Sequence, residues 1–418
     1  MTTPSESARP LSIPLSATIV LVATLGLTYV VSQFLRNSVG VIAPDLAAEL
    51  HLSAGEIGLL SSTFFFAFAA AQIPLGVALD RYGPKACMLA CAGIAAGGAV
   101  MFAMASSATT LIAARILMGV GSCCYLMAPL ALYARRYPPD RFATLVGIQL
   151  GVGTMGTLLA TAPLAFSTAA IGWRMTFLAV AGLMLLAGLL VGIVVRDDKG
   201  DRHGTHETFR EAIAGLGEAL RIPSVGALFI MQLTSHSSFV LIAGLWGGPY
   251  LTHVYGYTLT ERGNMLLICV IAQIAGMMLW GQADRFLHSY KLPVLAGALL
   301  TAGTLAAAAL LGALPHWALV AFFLGVGLFS AYVSVLIAHG KSLFPPRLVG
   351  RGLTLLNLGT MGGGFLSQLV SGYVIDLFPP TNGVYPLAAY QTVFGLQAAF
   401  GFAACLIYLR ARDPRAAE

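Results

Sequence analysis

The chain has 418 residues, of which 58% are hydrophobic and 10% charged, with a formal net charge of +6 at pH 7. Soluble globular domains carry about 25% charged residues, so this composition excludes an ordinary soluble protein and points to an all-α, multi-pass membrane protein. An excess of Lys and Arg in such a chain marks cytoplasmic loops, and no nucleic-acid partner is expected.

Residues 1 to 14 read as a polar tail, without the basic-then-apolar order of a secretory signal. A bilayer core takes about 20 apolar residues per helix. Breaks in apolarity give twelve such runs: 15–43, 55–79, 84–106, 108–134, 142–167, 173–195, 223–250, 260–283, 291–313, 316–340, 348–377 and 386–409. They are long and continuous, unlike the alternating strands of a membrane barrel.

The first run carries Tyr29, Gln33 and Arg36 at i, i+4 and i+7, on one helical face. After the second run comes GVALDRYGPK, with Gly76, Asp80, Arg81, Gly83 and Lys85. Here Gly76 is expected to permit close helix contact, Gly83 to supply a positive φ, and Asp80 to accept charge-assisted hydrogen bonds. The fourth run holds Arg115 and, about three turns on, Tyr125; the fifth holds Gln149 and spaced glycines; the sixth opens with GWRMTF.

A polar stretch over 196–224 then divides the chain, and Glu207–Leu220 within it suits a short amphipathic surface helix. Beyond it, the seventh run has Gln232 and His236 at i and i+4, followed by GLWGGPY, which weakens that helix. Gln273 lies in the eighth run, Asp284–Arg285 follow it, and Asn357 lies in the eleventh.

The chain repeats itself. Glu56–Gly58 precedes Asp80–Arg81, and Glu261–Gly263 precedes Asp284–Arg285, at offsets of 205 and 204 residues. The expected organisation is therefore an N-terminal six-helix half (1–195), a cytoplasmic linker (196–222) and a C-terminal six-helix half (223–418). With the N-terminus inside, 19 of the 23 basic residues fall on the cytoplasmic side, and only Arg174 and Arg262 fall in outer loops. That bias places both termini in the cytoplasm and the protein in the cell inner membrane.

All six cysteines lie in apolar runs and read as small buried hydrophobes. The sequence holds no metal-ligand cluster, Ser-His-Asp arrangement or P-loop, so neither a metal, a cofactor nor enzymatic activity is expected. All 17 Asp and Glu residues fall in tails, loops or run ends. Two membrane-depth arginines without an acid at that depth favour an anionic substrate over a cationic one.

The segment Gly76-x3-Asp80-Arg81-x-Gly83-x-Lys85 resembles the loop signature of the major facilitator superfamily, with GQADRF at Gly281–Phe286 as its degenerate partner. Arg115-x3-Gly119-x-Gly121 and GWRMTF are also similar to motifs of that superfamily. The resemblance implies alternating access between two halves, with the first, fourth, seventh and tenth helices lining the path. It makes Gly76, Asp80, Arg81, Gly83, Lys85, Asp284 and Arg285 gating residues. It makes Tyr29, Gln33, Arg36, Arg115, Tyr125, Gln232, His236 and Asn357 candidates for substrate binding.

A narrower resemblance, R-x-S-x-G-V-x-A-P at Arg36–Pro44, Leu52–Ser53 and the run from Gly58, is to the anion:cation symporter branch. There the first-helix arginine binds the substrate's carboxylate or phosphate, a role that falls on Arg36. That branch often has an acid just before the arginine and a tyrosine three before it; here those positions are Leu35 and Gln33. His236 is then the proton-coupling candidate, because histidine titrates near neutrality. The expected protein is a monomeric secondary transporter taking up a small organic anion with a proton. The alternative is proton-driven efflux of drugs or metabolites.

Overall fold

A computed structural model describes residues 15–196, 209–345 and 348–414. Their regular structure is helical, apart from one isolated bridge between Thr381 and Val384. The N-terminal helices are α1 (Leu15–Asn37), α2 (Val39–Leu50), α3 (Ala54–Ala103), α4 (Ala108–Ser122), α5 (Cys124–Arg136), α6 (Pro139–Leu159) and α7 (Ala162–Val194). A short α8 (Phe209–Leu220) follows; it covers most of the expected surface helix, whose first two residues lie outside the described residues. The C-terminal helices are α9 (Val225–Ser235), α10 (Ser237–Leu241), a π turn (Ile242–Trp246), α11 (Gly247–Tyr255), α12 (Leu259–Phe286), α13 (Lys291–Leu310), α14 (His316–Ser330), α15 (Val333–Leu343), α16 (Val349–Asp376) and α17 (Leu387–Tyr408). Among the described residues, nine helical stretches are long and apolar enough to cross a membrane.

Helix ends follow local chemistry. Ser53 and Thr258 open α3 and α12 with reciprocal capping boxes, closed by Glu56 and Glu261. The repeated glutamates are thus repeated caps. Gly83 breaks α3 with φ 82° and Gly172 breaks α7 with φ 79°, conformations that only glycine adopts readily. The chain therefore doubles back at both. The run expected over 15–43 is two helices, parted at Ser38 between α1 and α2.

The N-terminal and C-terminal helices cross where glycines remove side chains. A Cβ on Gly58 of α3 would come within 2.8 Å of Gly372 of α16, and one on Gly263 of α12 within 2.6 Å of Ala165 of α7. These two crossings mirror each other across the repeat. Phe102 stacks on Phe177 at 4.4 Å within the N-terminal core. All six cysteines are buried, and none forms a disulfide among the described residues.

Below, the end of the molecule bearing the α2–α3 turn is the Ser53 face, and the opposite end is the Gly83 face. At the Gly83 face Asp80 and Arg81 are exposed, and Arg81 lies over the Tyr82 ring. The expectation for Gly76 fails: it is exposed, and a Cβ there would meet nothing. The side chains of Asp284 and Arg285 lie outside the described residues.

Candidate substrate site

The site begins at the end of α1. Glycines of α6 set its approach: a Cβ on Gly156 would meet the Val30 carbonyl at 2.1 Å, and one on Gly153 the Tyr29 ring at 2.1 Å. This contact fixes the rotation of α1 and directs Gln33 and Arg36 to one small cavity of about 60 Å³. The cavity lies between α1, α6, the α9–α10 junction and α12. Its polar lining comprises Gln33, Arg36, Asn37, Thr154, Thr157, His236 and Gln273.

Arg36 is 9% exposed, and its guanidinium lies over the Phe68 ring at 4.4 Å. Among the described residues, nothing accepts a hydrogen bond from its side chain, and its buried Nε has no partner. The same is true of buried Gln33 Oε1 and Gln273 Nε2. Buried polar groups are hydrogen-bonded in the great majority of cases, and each exception costs about 1–3 kcal/mol. Three exceptions therefore converge on one cavity. His236 forms part of the wall from the break between α9 and α10, its ring stacked on Phe239 at 5.7 Å. Asn37 donates to the Gln33 carbonyl at 2.9 Å and to Thr157 Oγ1 at 3.3 Å, tying α1 to α6. Sequence reasoning missed Asn37, although it adjoins Arg36.

The remaining candidates are engaged elsewhere. Arg115, fully buried, donates to the Leu35 and Arg36 carbonyls. It caps the end of α1 and presents no side chain to the cavity. Tyr125 donates to the Met88 carbonyl at 3.2 Å, inside the N-terminal core. Gln149 bonds Tyr133 and the Leu25 and Tyr125 carbonyls. Gln232 bonds Thr360 Oγ1 at 2.5 Å, and Asn357 bonds Gln72 at 2.7 Å, bridging α16 to α3. Tyr29 packs on Gly153 and does not line the cavity. These are structural contacts in this conformation, and they correct the sequence-based assignment of those side chains to the cavity.

The Ser53 face is latched across the two sets of helices. Arg262 of α12, 3% exposed, pairs with Asp45 of α2 and donates to the Val41 carbonyl at 2.8 Å and Thr252 Oγ1 at 3.1 Å. Burial pushes the Asp45 carboxyl up from its ordinary range, and Arg262 opposes that rise. Asp376 of α16 accepts from the Ala54 and Gly55 amides at 2.9 and 2.7 Å, where the start of α3 favours an anion. Gly40 of α2 lies against the π turn and α11: a Cβ on Gly40 would meet the Ala243 carbonyl at 2.3 Å, and one on Gly248 the Gly40 carbonyl at 2.0 Å. Outside these contacts is a cavity of about 840 Å³, lined in part by Pro44, His51, His253 and Tyr385. Sequence reading treated Arg262 as an outer-loop charge and Asp376 as one of the acids in tails, loops or run ends; which acid meets which base across 217 residues has no local signature.

The family model described as Major Facilitator Superfamily matches residues 25–338 and 228–418. A hexuronate transporter of Bacillus subtilis (strain 168) is 24% identical, over 90% of this chain and 93% of its own. A probable sulfoacetate transporter of Cupriavidus necator is 24% identical, over 84% of this chain and 85% of its own. Among solved structures, a bacterial homologue of the human lysosomal transporter Spinster, in an inward-facing and unoccupied conformation, matches with a TM-score of 0.77. It is 18% identical, over 95% of this chain and 97% of that one.

Proposed function

The chain belongs to the Major Facilitator Superfamily and is a transporter, not an enzyme; from that premise we propose that it is a secondary active transporter for a small organic anion. The observation that carries this reading is the convergence of Arg36, Gln33 and Gln273 on one cavity with buried polar atoms that have no partner among the described residues. A permanent cation at membrane depth costs at least about 2.5–3.5 kcal/mol, and a bound anion offsets that cost. No acidic residue lines the cavity among the described residues, so the site carries one fixed positive charge and suits a monoanion. Hexuronate and sulfoacetate, the substrates in the relatives' names, are organic anions, and of the two hexuronate carries the single charge that this site balances.

In this reading, residues 1–195 and 223–418 form two six-helix halves joined by the 196–222 linker, twelve helices in all, with both termini cytoplasmic. The Ser53 face is then external. Its latches hold it shut while the cavity communicates with the cytoplasm, and their release turns the site outward. His236 is the side chain in the cavity wall able to carry a proton for uptake, and the monomer suffices for the cycle.

The test is uptake of labelled glucuronate and sulfoacetate into proteoliposomes under an imposed pH gradient. Arg36→Lys is expected to lower transport strongly and Arg36→Ala to abolish it, with both variants monodisperse on size-exclusion chromatography. Wild-type transport by Arg36→Ala sinks the anion site. Normal pH-driven accumulation by His236→Gln removes histidine as the carrier, and loading only of inside-out vesicles reverses the direction to export.

A further inference from the structure

Gln273 occupies the midpoint of α12 and is 5% exposed. Val270, Ile274 and Met277 share its helical face and line the same cavity. The rotation of α12 is fixed from behind by α14 and the turn that follows it. A Cβ on Gly327 would meet the Cys269 carbonyl at 2.1 Å, and one on Gly276 the Leu328 carbonyl at 2.4 Å. Locked in this way, α12 presents the Gln273 amide to the cavity that Arg36 enters from α1. Among the described residues, no protein group accepts from its buried Nε2. Gln33 adds a buried acceptor, Oε1, also without a partner.

We propose that Gln273 is the specificity-determining residue contributed by the C-terminal helices, and that together with Gln33 it selects a monoanion bearing hydroxyl groups. This rests on the reading of Arg36 as the anion anchor. Arg36 supplies charge and donors, which any small carboxylate satisfies. The two glutamines supply one further donor and one acceptor. A hydroxyl is both donor and acceptor, so a hydroxylated acid completes both orphans, whereas a deoxy acid leaves them buried and unpaired. Sites built around such polar groups reject the analogue that lacks the matching hydroxyl. The bound substrate also bridges α1 and α12, which belong to opposite sides of the cavity.

Affinities of purified full-length protein for two matched pairs of acids test this: glycerate against propionate, and gluconate against hexanoate. Wild type is expected to prefer the hydroxylated member of at least one pair. Gln273→Leu should reduce that preference on the order of tenfold, weakening the hydroxylated acids more than the deoxy acids. The near-isosteric Gln273→Met should behave alike, and Gln273→Asn should retain part of the preference. A folded Gln273→Leu or Gln273→Met variant with wild-type preference overturns the proposal. So does wild type with no preference in either pair, or an equal loss for hydroxylated and deoxy acids. Arg36→Ala is the separate control: undiminished binding of all four acids refutes the anion anchor, whatever the Gln273 variants do.

Discussion

Arg36 and Arg115 each hold a guanidinium over a phenylalanine ring, Phe68 at 4.4 Å and Phe64 at 4.6 Å, yet they serve opposite ends. Arg115 gives its Nη1 and Nη2 donors to the Leu35 and Arg36 carbonyls and leaves only its Nε without a partner among the described residues, whereas none of the Arg36 side-chain donors is taken there. Arg115→Leu should therefore destabilise the fold by about 1–3 kcal/mol through loss of its bonds to the end of α1, although Ser38 Oγ still donates to the Leu35 carbonyl, whereas Arg36→Met should hold or raise the melting temperature by removing a buried unpaired charge. Thermal unfolding in detergent checks both; a neutral Arg115→Leu would deny it the capping role. The sequence placed both arginines at membrane depth and gave the anion role to Arg36 by resemblance, but it still kept Arg115 among the substrate-binding candidates. In a helix apolar on its lipid and protein sides alike, periodicity does not reveal rotation. Arg36 was legible through Gln33, its polar neighbour one turn away. Gln273 stands without a polar stripe on α12, so only the packing of α14 shows where it points.

Helix breaks account for much of what the motifs mean. Gly83 was readable as a positive-φ residue because it sits among loop charges. Gly172 was not, although it begins the familiar GWRMTF. After the break at Gly172, Trp173 donates to Glu49 at 2.6 Å, and Arg174 pairs with Glu49 and donates to the Ala105 carbonyl at 3.0 Å. The motif thus clips α7 to the end of α2. The Trp173 hydrogen bond, with Arg174 beside it, holds the Glu49 carboxyl below its ordinary value of 4.5. A carboxyl depressed in the folded state stabilises it above the unfolded pKa and loses that contribution as pH falls through the folded one. The melting-temperature gap between wild type and Glu49→Gln should therefore be full at neutral pH and shrink below about pH 4.5. A gap that widens on acidification would contradict the clip. The break between α6 and α7 was missed within the run 142–167, although Pro163 in the first turn of α7 was its signal.

At the scale of the whole molecule, the proposed cycle makes the latches at the Ser53 face set the balance between closed and open states. Arg262 is buried and bonded to Asp45, Val41 and Thr252. Its removal leaves the Val41 carbonyl and Thr252 without their donor beside a half-buried Asp45, at about 1–3 kcal/mol, and every 1.4 kcal/mol is tenfold in a population. Arg262→Ala should thus raise the rate at which external maleimide labels a cysteine placed at Thr157, on the order of tenfold; an unchanged rate would remove Arg262 from the seal. The repeat was legible in sequence because Glu56 and Glu261 are both caps. The crossings it generates, Gly58 on Gly372 and Gly263 on Ala165, were not, since a contact between distant glycines leaves no local pattern.

One part of that seal has a thermodynamic character of its own. Where Gly40 meets the π turn and Gly248, backbone rests on backbone. A seam of long side chains freezes up to about 1.5–2 kcal/mol of rotamer freedom per residue each time it shuts, whereas glycine has none to lose. In the proposed cycle the Gly40 junction would act as a bearing, parting and re-forming without a search through side-chain conformations. Its tightness is set by steric fit, and the depth of the closed state is left to the ionic latches around it.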